Sequence, residues 1–255
     1  MKTIAFLNIK GGVGKTTSTL AFAMLLHEEY GQRVLVLDCD KQANSTKSLG
    51  CYGAPYTTAS LLTEKENVVE AAVQHSPFGI DIIGANWDLM KANQDVLLDV
   101  TRPQQYRIKK QLEPIRQNYD YCLIDCPPDI NMATINALAI SDDVLIPIRV
   151  DKYGFDGLEY VTQAVQEMQD FNPALYLRGC FLTQYQPNTN LSVSGFQLLQ
   201  NELGLHGMNT AIRMTVKVGE STFYEPLLSY APHCTATEDY RLLLNEYLEG
   251  GNIHG

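Results

Sequence analysis

The chain has 255 residues, with 19 Lys and Arg against 29 Asp and Glu, so its formal net charge is −10. Hydrophobic residues make up 45% and charged residues 19%, which excludes bulk disorder and leaves enough apolar material for a sizeable core. No apolar run approaches the roughly 18 residues of a membrane span, and the acidic balance excludes a protein that coats nucleic acid with its whole surface.

In chain order, residues 3–8 read as a strand, followed by a glycine-rich turn and an apolar helix over 16–30. Residues 33–38, Arg-Val-Leu-Val-Leu-Asp, form a second strand whose unbroken apolar run suits burial on both faces. Further strands are expected at 80–84, 121–125, 143–148 and 175–185, with an edge strand at 210–214. Leu158, Val161, Val165 and Met168 mark one face of a helix, and Tyr240, Leu243, Leu244, Tyr247 and Leu248 mark another. This alternation predicts an α/β fold, a mostly parallel twisted sheet with helices on both faces. Residues 1–250 read as one domain, with a frayed tail at 251–255. The opening Met1-Lys2-Thr3-Ile4 lacks the apolar stretch of a secretory leader. Cysteines at 39, 51, 122, 126, 180 and 234 form no Cys-x-x-Cys pair and read as free thiols in a reducing cytosol.

The strongest chemical signal is Ile9-Lys10-Gly11-Gly12-Val13-Gly14-Lys15-Thr16-Thr17, set between a strand and a helix. Glycines let backbone N–H groups turn toward phosphate oxygens, and the helix N-terminus adds favourable partial charge. Gly11, Gly12, Val13, Gly14, Lys15, Thr16 and Thr17 are therefore the expected nucleotide-binding residues of a P-loop NTPase-like fold. Lys15 is expected at the β- and γ-phosphates, and the Thr16 hydroxyl on Mg²⁺. Ile9 stands where the ordinary Walker pattern has glycine, and Lys10 is additional. Asp38 and Asp40 close the second strand, at the end that faces the ligand crevice of a parallel sheet. Leu123-Ile124-Asp125-Cys126-Pro127-Pro128 ends the fourth, an apolar run closing on a carboxylate suited to Mg²⁺.

Lys-Gly-Gly-Val-Gly-Lys-Thr-Thr resembles the deviant Walker A box of the ParA/MinD superfamily of ATPases. The resemblance implies that Lys10 crosses to the phosphates of a partner subunit, with ATP sandwiched in a homodimer. Asp38-Cys39-Asp40-Lys41-Gln42-Ala43-Asn44 is similar to the family's switch I, Asp-x-Asp-Pro-Gln-x-Asn. By that likeness Asp38 holds the attacking water and Asp40 supports the Mg²⁺ shell. Lys41 replaces the usual proline and Ala43 a common glycine. Asp125-Cys126-Pro127-Pro128 resembles switch II. Ile146-Pro147-Ile148 with Gly154-Phe155-Asp156-Gly157-Leu158, Leu182-Thr183-Gln184-Tyr185 and Val216-Lys217-Val218-Gly219-Glu220 are similar to the partition branch, which makes Thr183 an implied contact to the base. The chain thus resembles a short ParA-type ATPase without an N-terminal helix-turn-helix domain. The likeness implies ATP hydrolysis to ADP and phosphate in plasmid, chromosome or conjugative-element partitioning. It also implies stimulation by a ParB-type centromere-binding protein, and a cytoplasmic location on the nucleoid where DNA is bound. The alternative is a nucleotide-switched interaction protein that positions a protein cargo with little or no DNA binding.

Rival branches leave sequence marks. A MinD-like membrane ATPase ends in a basic amphipathic helix. Here residues 220–255 hold Glu220, Glu225, Glu238, Asp239, Glu246 and Glu249 against Arg241, so no membrane partner is expected. An iron–sulfur reductase needs cysteine ligands at the dimer axis, and Cys126 lacks a convincing second. A ligase of the dethiobiotin-synthase kind usually lacks Lys10 in this role. Non-specific DNA binding is phosphate electrostatics and needs clustered cations. Arg102, Arg107, Lys109, Lys110 and Arg116 supply one candidate cluster on an expected basic helix, and Arg213 with Lys217 match late basic positions of the family. Asn188 stands where the family often has arginine. DNA binding is therefore expected only in the ATP-bound dimer, where two weak patches add.

Overall fold

The computed structural model describes residues 1–150, 157–187, 189–203 and 206–250. The Gly154-Phe155-Asp156 stretch, Asn188 and the expected frayed tail at 251–255 lie outside the described residues. The elements run β1 (Lys2–Phe6), α1 (Lys15–Glu28), β2 (Val34–Asp38), α2 (Asn44–Ser48), α3 (Thr58–Thr63), α4 (Val69–Ala72), β3 (Val73–His75), β4 (Asp81–Ile83) and α5 (Asp88–Leu98). They continue through α6 (Arg107–Leu112), a 3₁₀ turn (Glu113–Asn118), β5 (Tyr121–Asp125), α7 (Met132–Ile140), β6 (Asp143–Arg149), α8 (Leu158–Met168) and β7 (Tyr176–Thr183). Last come α9 (Asn190–Leu203), α10 (Val216–Ser221), α11 (Leu227–Tyr230) and α12 (Thr235–Gly250).

The strands form one sheet in the order β3-β4-β2-β5-β1-β6-β7, parallel except for the β3–β4 pair. Period-two alternation splits each central strand between two cores. Ala5, Leu35, Leu37 and Ile124 face α3, α5, α6, α7 and α8, whereas Ile4, Phe6, Val34 and Val36 face α1, α11 and α12. The continuous apolar character of β2 thus reflects helices on both faces. Within α1 every residue from Leu20 to Leu26 is buried, because the helix lies between the sheet and α12.

Two expectations are corrected. The short β3 pairs antiparallel with β4 at the edge, and no strand had been expected there. Residues 210–214 do not form the expected edge strand. Among the described residues they make one isolated bridge, Arg213 with Tyr185 beyond the end of β7, and on the opposite side the Arg213 N–H donates to the Asp239 carboxylate at 2.8 Å.

Candidate functional site

The loop after β1 opens into α1 at the C-terminal edge of the sheet, beside the ends of β2 and β5. Gly12 and Gly14 have φ of 72° and 92°, the left-handed region that a Cβ disfavours. The loop lines a cavity of about 1360 Å³, together with Thr16, Thr17, Asp40 and, from the far wall, Met214 and Tyr224.

The Lys15 ammonium is buried and donates to the Lys10 carbonyl at 2.9 Å. Burial lowers its pKa against the opposing pull of Asp125. The Lys10 ammonium is itself buried and has no hydrogen-bond partner among the described residues.

Asp38 and Asp125 sit opposite one another in register. Asp125 Oδ2 accepts from Thr16 Oγ1 at 2.7 Å and from Ser45 Oγ at 2.8 Å, while its Oδ1 is buried without a partner among the described residues. Burial raises the pKa of both carboxyls, and the charge of Asp125 raises that of Asp38 further.

The two switch aspartates sit in different settings. Asp38 is fully buried, and both its oxygens are taken: Oδ1 by the Asp40 N–H, Oδ2 by the N–H and hydroxyl of Thr46. Asp40, by contrast, lines the cavity and accepts only from the Gln42 N–H among the described contacts. Thr183 lines the cavity, and its hydroxyl donates to the Val13 carbonyl at 2.9 Å, which braces the phosphate loop.

Sequence reasoning missed three supports. Gln184 Nε2 donates to the Gly12 carbonyl at 2.9 Å, and Ser45 and Thr46 hold the two buried carboxylates. Hydroxyls seven and eight residues after Asp38, inside a recognised switch, were a usable signal. Nothing local links Gln184 to a glycine 172 residues away.

Of the expected DNA contacts Arg107 is buried, whereas Arg102, Arg213 and Lys217 stay partly or well exposed but are held by carboxylates or carbonyls. Arg107 is buried and pairs with Asp99 at 3.0 Å, and Arg102 donates to the carbonyls of Thr63 and Glu64. Arg213 grips Asp239 at 2.7 Å, and Lys217 pairs with Glu220 at 2.8 Å. Lys109 and Lys110 are exposed, Lys109 over the Tyr106 ring. The helix expected across this region is the short α6 followed by the 3₁₀ turn, and it presents fewer free cations than its composition suggests.

No cluster of three His, Cys, Asp or Glu side chains stands ready to hold a metal by itself among the described residues. Mg²⁺ does not require one, since it binds through one or two carboxylates plus substrate phosphates and waters. The orphaned Asp125 Oδ1, with the Thr16 hydroxyl on its neighbouring oxygen, is the kind of hard oxygen donor set that fits this ion.

A glycine-rich loop opening a helix, beside buried carboxylates at the ends of parallel strands, defines a P-loop nucleotide-binding α/β protein. Residues 1–177 match the AAA domain family. The chain is 32% identical to the sporulation initiation inhibitor protein Soj of Bacillus subtilis over 254 residues, covering 98% of this chain and 99% of that protein. It is 32% identical to the chromosome partitioning protein ParA of Caulobacter vibrioides, covering 97% and 94% of the two. Among solved structures, cobyrinic acid a,c-diamide synthase of Mycobacterium smegmatis, with a bound ATP analog and magnesium, superposes with a TM-score of 0.82. It is 27% identical to this chain, covering 98% of this chain and 97% of that one. The chain belongs to the ParA/MinD superfamily, among its partition-type ATPases.

Proposed function

We propose that this chain is an ATP-hydrolysing, dimerising switch of the partition type, converting ATP to ADP and phosphate with Mg²⁺. The observation that carries the reading is the buried Asp125, with one oxygen on Thr16 and the other free, directly behind the phosphate loop. The loop N–H groups and Lys15 bind the β- and γ-phosphates. Thr16 and Asp125 would hold Mg²⁺, which would neutralise charge on the phosphate oxygens. Lys10 reaches the phosphates of a second protomer. Asp40 orients the attacking water, and Asp38 positions the switch through Thr46. Hydrolysis separates the protomers, and a ParB-type centromere-binding protein speeds turnover.

In this reading the ATP-bound dimer binds DNA without sequence preference and moves a plasmid, chromosome or conjugative element. One observation favours a second reading, a nucleotide switch that positions a protein cargo with little DNA binding. Arg102, Arg107, Arg213 and Lys217 are already engaged within the chain. Sedimentation with ADP or ATP, with and without DNA, tests both. ATP-dependent dimers that carry DNA in low salt support the first, and ATP-dependent dimers that leave it behind support the second. Absence of ATP-dependent dimers overturns both.

A further inference from the structure

The turn between β2 and α2 carries Asp40 and bends through a left-handed residue that is not glycine. Ala43 has φ of 54° and ψ of 40°, a region that any Cβ disfavours. Its side chain is fully buried. Strained backbone of this kind persists only where neighbouring bonds hold it, and it gathers at switching sites. A half-rotation of the Gln42–Ala43 peptide would return Ala43 to a negative φ and relieve the strain.

Bonds on both sides of that peptide oppose the rotation. The Ala43 N–H donates to the Asp40 carbonyl at 2.8 Å. The Gln42 carbonyl accepts from the Lys47 ammonium at 2.8 Å. Rotation reverses both groups and breaks both bonds. Lys47 is exposed, yet it is tethered at two further points. Its ammonium lies 5.3 Å from the centre of the Tyr52 ring, and its N–H donates to the Ala43 carbonyl at 3.0 Å. The preceding peptide holds the carboxylate, since the Gln42 N–H donates to Asp40 Oδ1 at 2.9 Å. Asp40, Gln42 and Lys47 all line the cavity beside the phosphate loop.

We infer that Lys47 is a positioning residue, a latch whose ammonium holds the Gln42–Ala43 peptide in the orientation that keeps Asp40 set in the cavity wall. When the latch is released, the peptide turns, Ala43 relaxes, and the Gln42 N–H no longer fixes the Asp40 carboxylate. Lys41 lies in the same turn, with its ammonium 5.9 Å from the centre of the Trp87 ring, so movement of the turn disturbs that contact. The consequence for turnover rests on the role proposed above for Asp40, whereas the latch itself does not.

Trp87 is the chain's one tryptophan, so its emission reports the turn without nucleotide. Lys47→Met keeps an unbranched stem against Tyr52 and removes the ammonium. This variant is expected to fold with unchanged circular dichroism and to shift Trp87 emission in the nucleotide-free protein. Lys47→Arg, which still donates, is expected to keep the wild-type spectrum. In an Ala43→Gly background no strain drives the peptide round, so adding Lys47→Met is expected to leave the emission unchanged. Wild-type emission in Lys47→Met, or an equal shift in the glycine background, overturns the latch. In ATP turnover, Lys47→Met is expected to lower kcat about three- to tenfold with KM unchanged, and Lys47→Arg to restore it. An emission shift that the glycine background removes, beside an unchanged kcat, upholds the latch and refutes only the water-orienting role of Asp40.

Discussion

Asp38 and Asp125 face each other in register at the C-terminal ends of β2 and β5, and both carboxyls are buried. Two like charges at this spacing in a dry setting hold each other's protons. The pair is therefore unfavourable without bound cations and becomes useful when lysines or Mg²⁺ supply opposite charge. Conflict of this kind is expected where a site is built for its ligand rather than for stability.

A pH dependence of stability follows. Unfolded, both groups titrate near about 3.9. Folded, burial raises both pKa values, so the native chain binds more protons than the unfolded one. The stability present below the unfolded pKa is lost as pH rises through the raised native values. Asp125→Asn removes the charge, and at pH 8 the nucleotide-free variant is expected to gain about 1–2 kcal/mol over wild type. That gain shrinks toward pH 4, while Mg²⁺-dependent turnover is lost. Urea unfolding of both proteins across this range checks it, and a difference that does not change with pH refutes the account.

The two aspartates of the switch separate in their mutants. Asp40→Ala is expected to fold normally, bind ATP and lose at least about 100-fold in turnover, the scale of a lost base or water-positioning group. Asp38→Ala strips the acceptor from the N–H and hydroxyl of Thr46 and from the Asp40 N–H. It is expected to lower Tm and weaken nucleotide binding together, because buried donors without partners are costly. Single-turnover hydrolysis with thermal melts distinguishes them. A stable Asp38→Ala that binds ATP yet cannot cleave it, beside an active Asp40→Ala, would restore the water to Asp38.

The lysines of the loop have different expected phenotypes. Lys15 already points into the loop at the Lys10 carbonyl, and Lys15→Ala is expected to abolish nucleotide binding. Lys10→Ala is expected to leave monomer binding intact but lower closure and turnover. Mixing Lys10→Ala with an Asp40→Ala partner tests the crossing. In mixed dimers the site with intact Asp40 that receives its lysine from the other subunit recovers activity. Unchanged ATPase in Lys10→Ala alone removes the lysine from the mechanism.

Local patterns made the central fold legible. Buried strands such as Val34–Asp38 and the loop at 9–17 carry their meaning within a few residues. The antiparallel β3 was not legible, since three residues, two half-buried and one exposed, show no period. The different settings of Asp38 and Asp40 were not legible either, because two carboxylates two positions apart look alike until Thr46 and Asp125 pack around one of them. The internal pairing of the cationic positions was hidden for a related reason. Arg213 looks free until Asp239 is folded against it, 26 residues on.

That difference between composition and presented charge yields a last prediction. Arg107 is buried against Asp99 and donates to the carbonyls of Pro103 and Leu62. Arg107→Ala removes these bonds and leaves Asp99 paired with Arg102 alone. Asp99 is partly open to water, so a loss of about 1–3 kcal/mol is expected, below the cost of a fully buried pair. DNA binding by the folded fraction should be unchanged, because the guanidinium is not presented to solvent. Lys109 and Lys110 are exposed, and reversing both to Glu should leave stability within about 0.5 kcal/mol. If the 107–112 face meets DNA, the double reversal weakens ATP-dependent binding and flattens its salt dependence, since each phosphate contact adds to that slope. Loss of DNA binding in Arg107→Ala at temperatures where it stays folded would instead place the buried arginine at the interface. Filter binding over a salt series, with melts of each variant, decides between them.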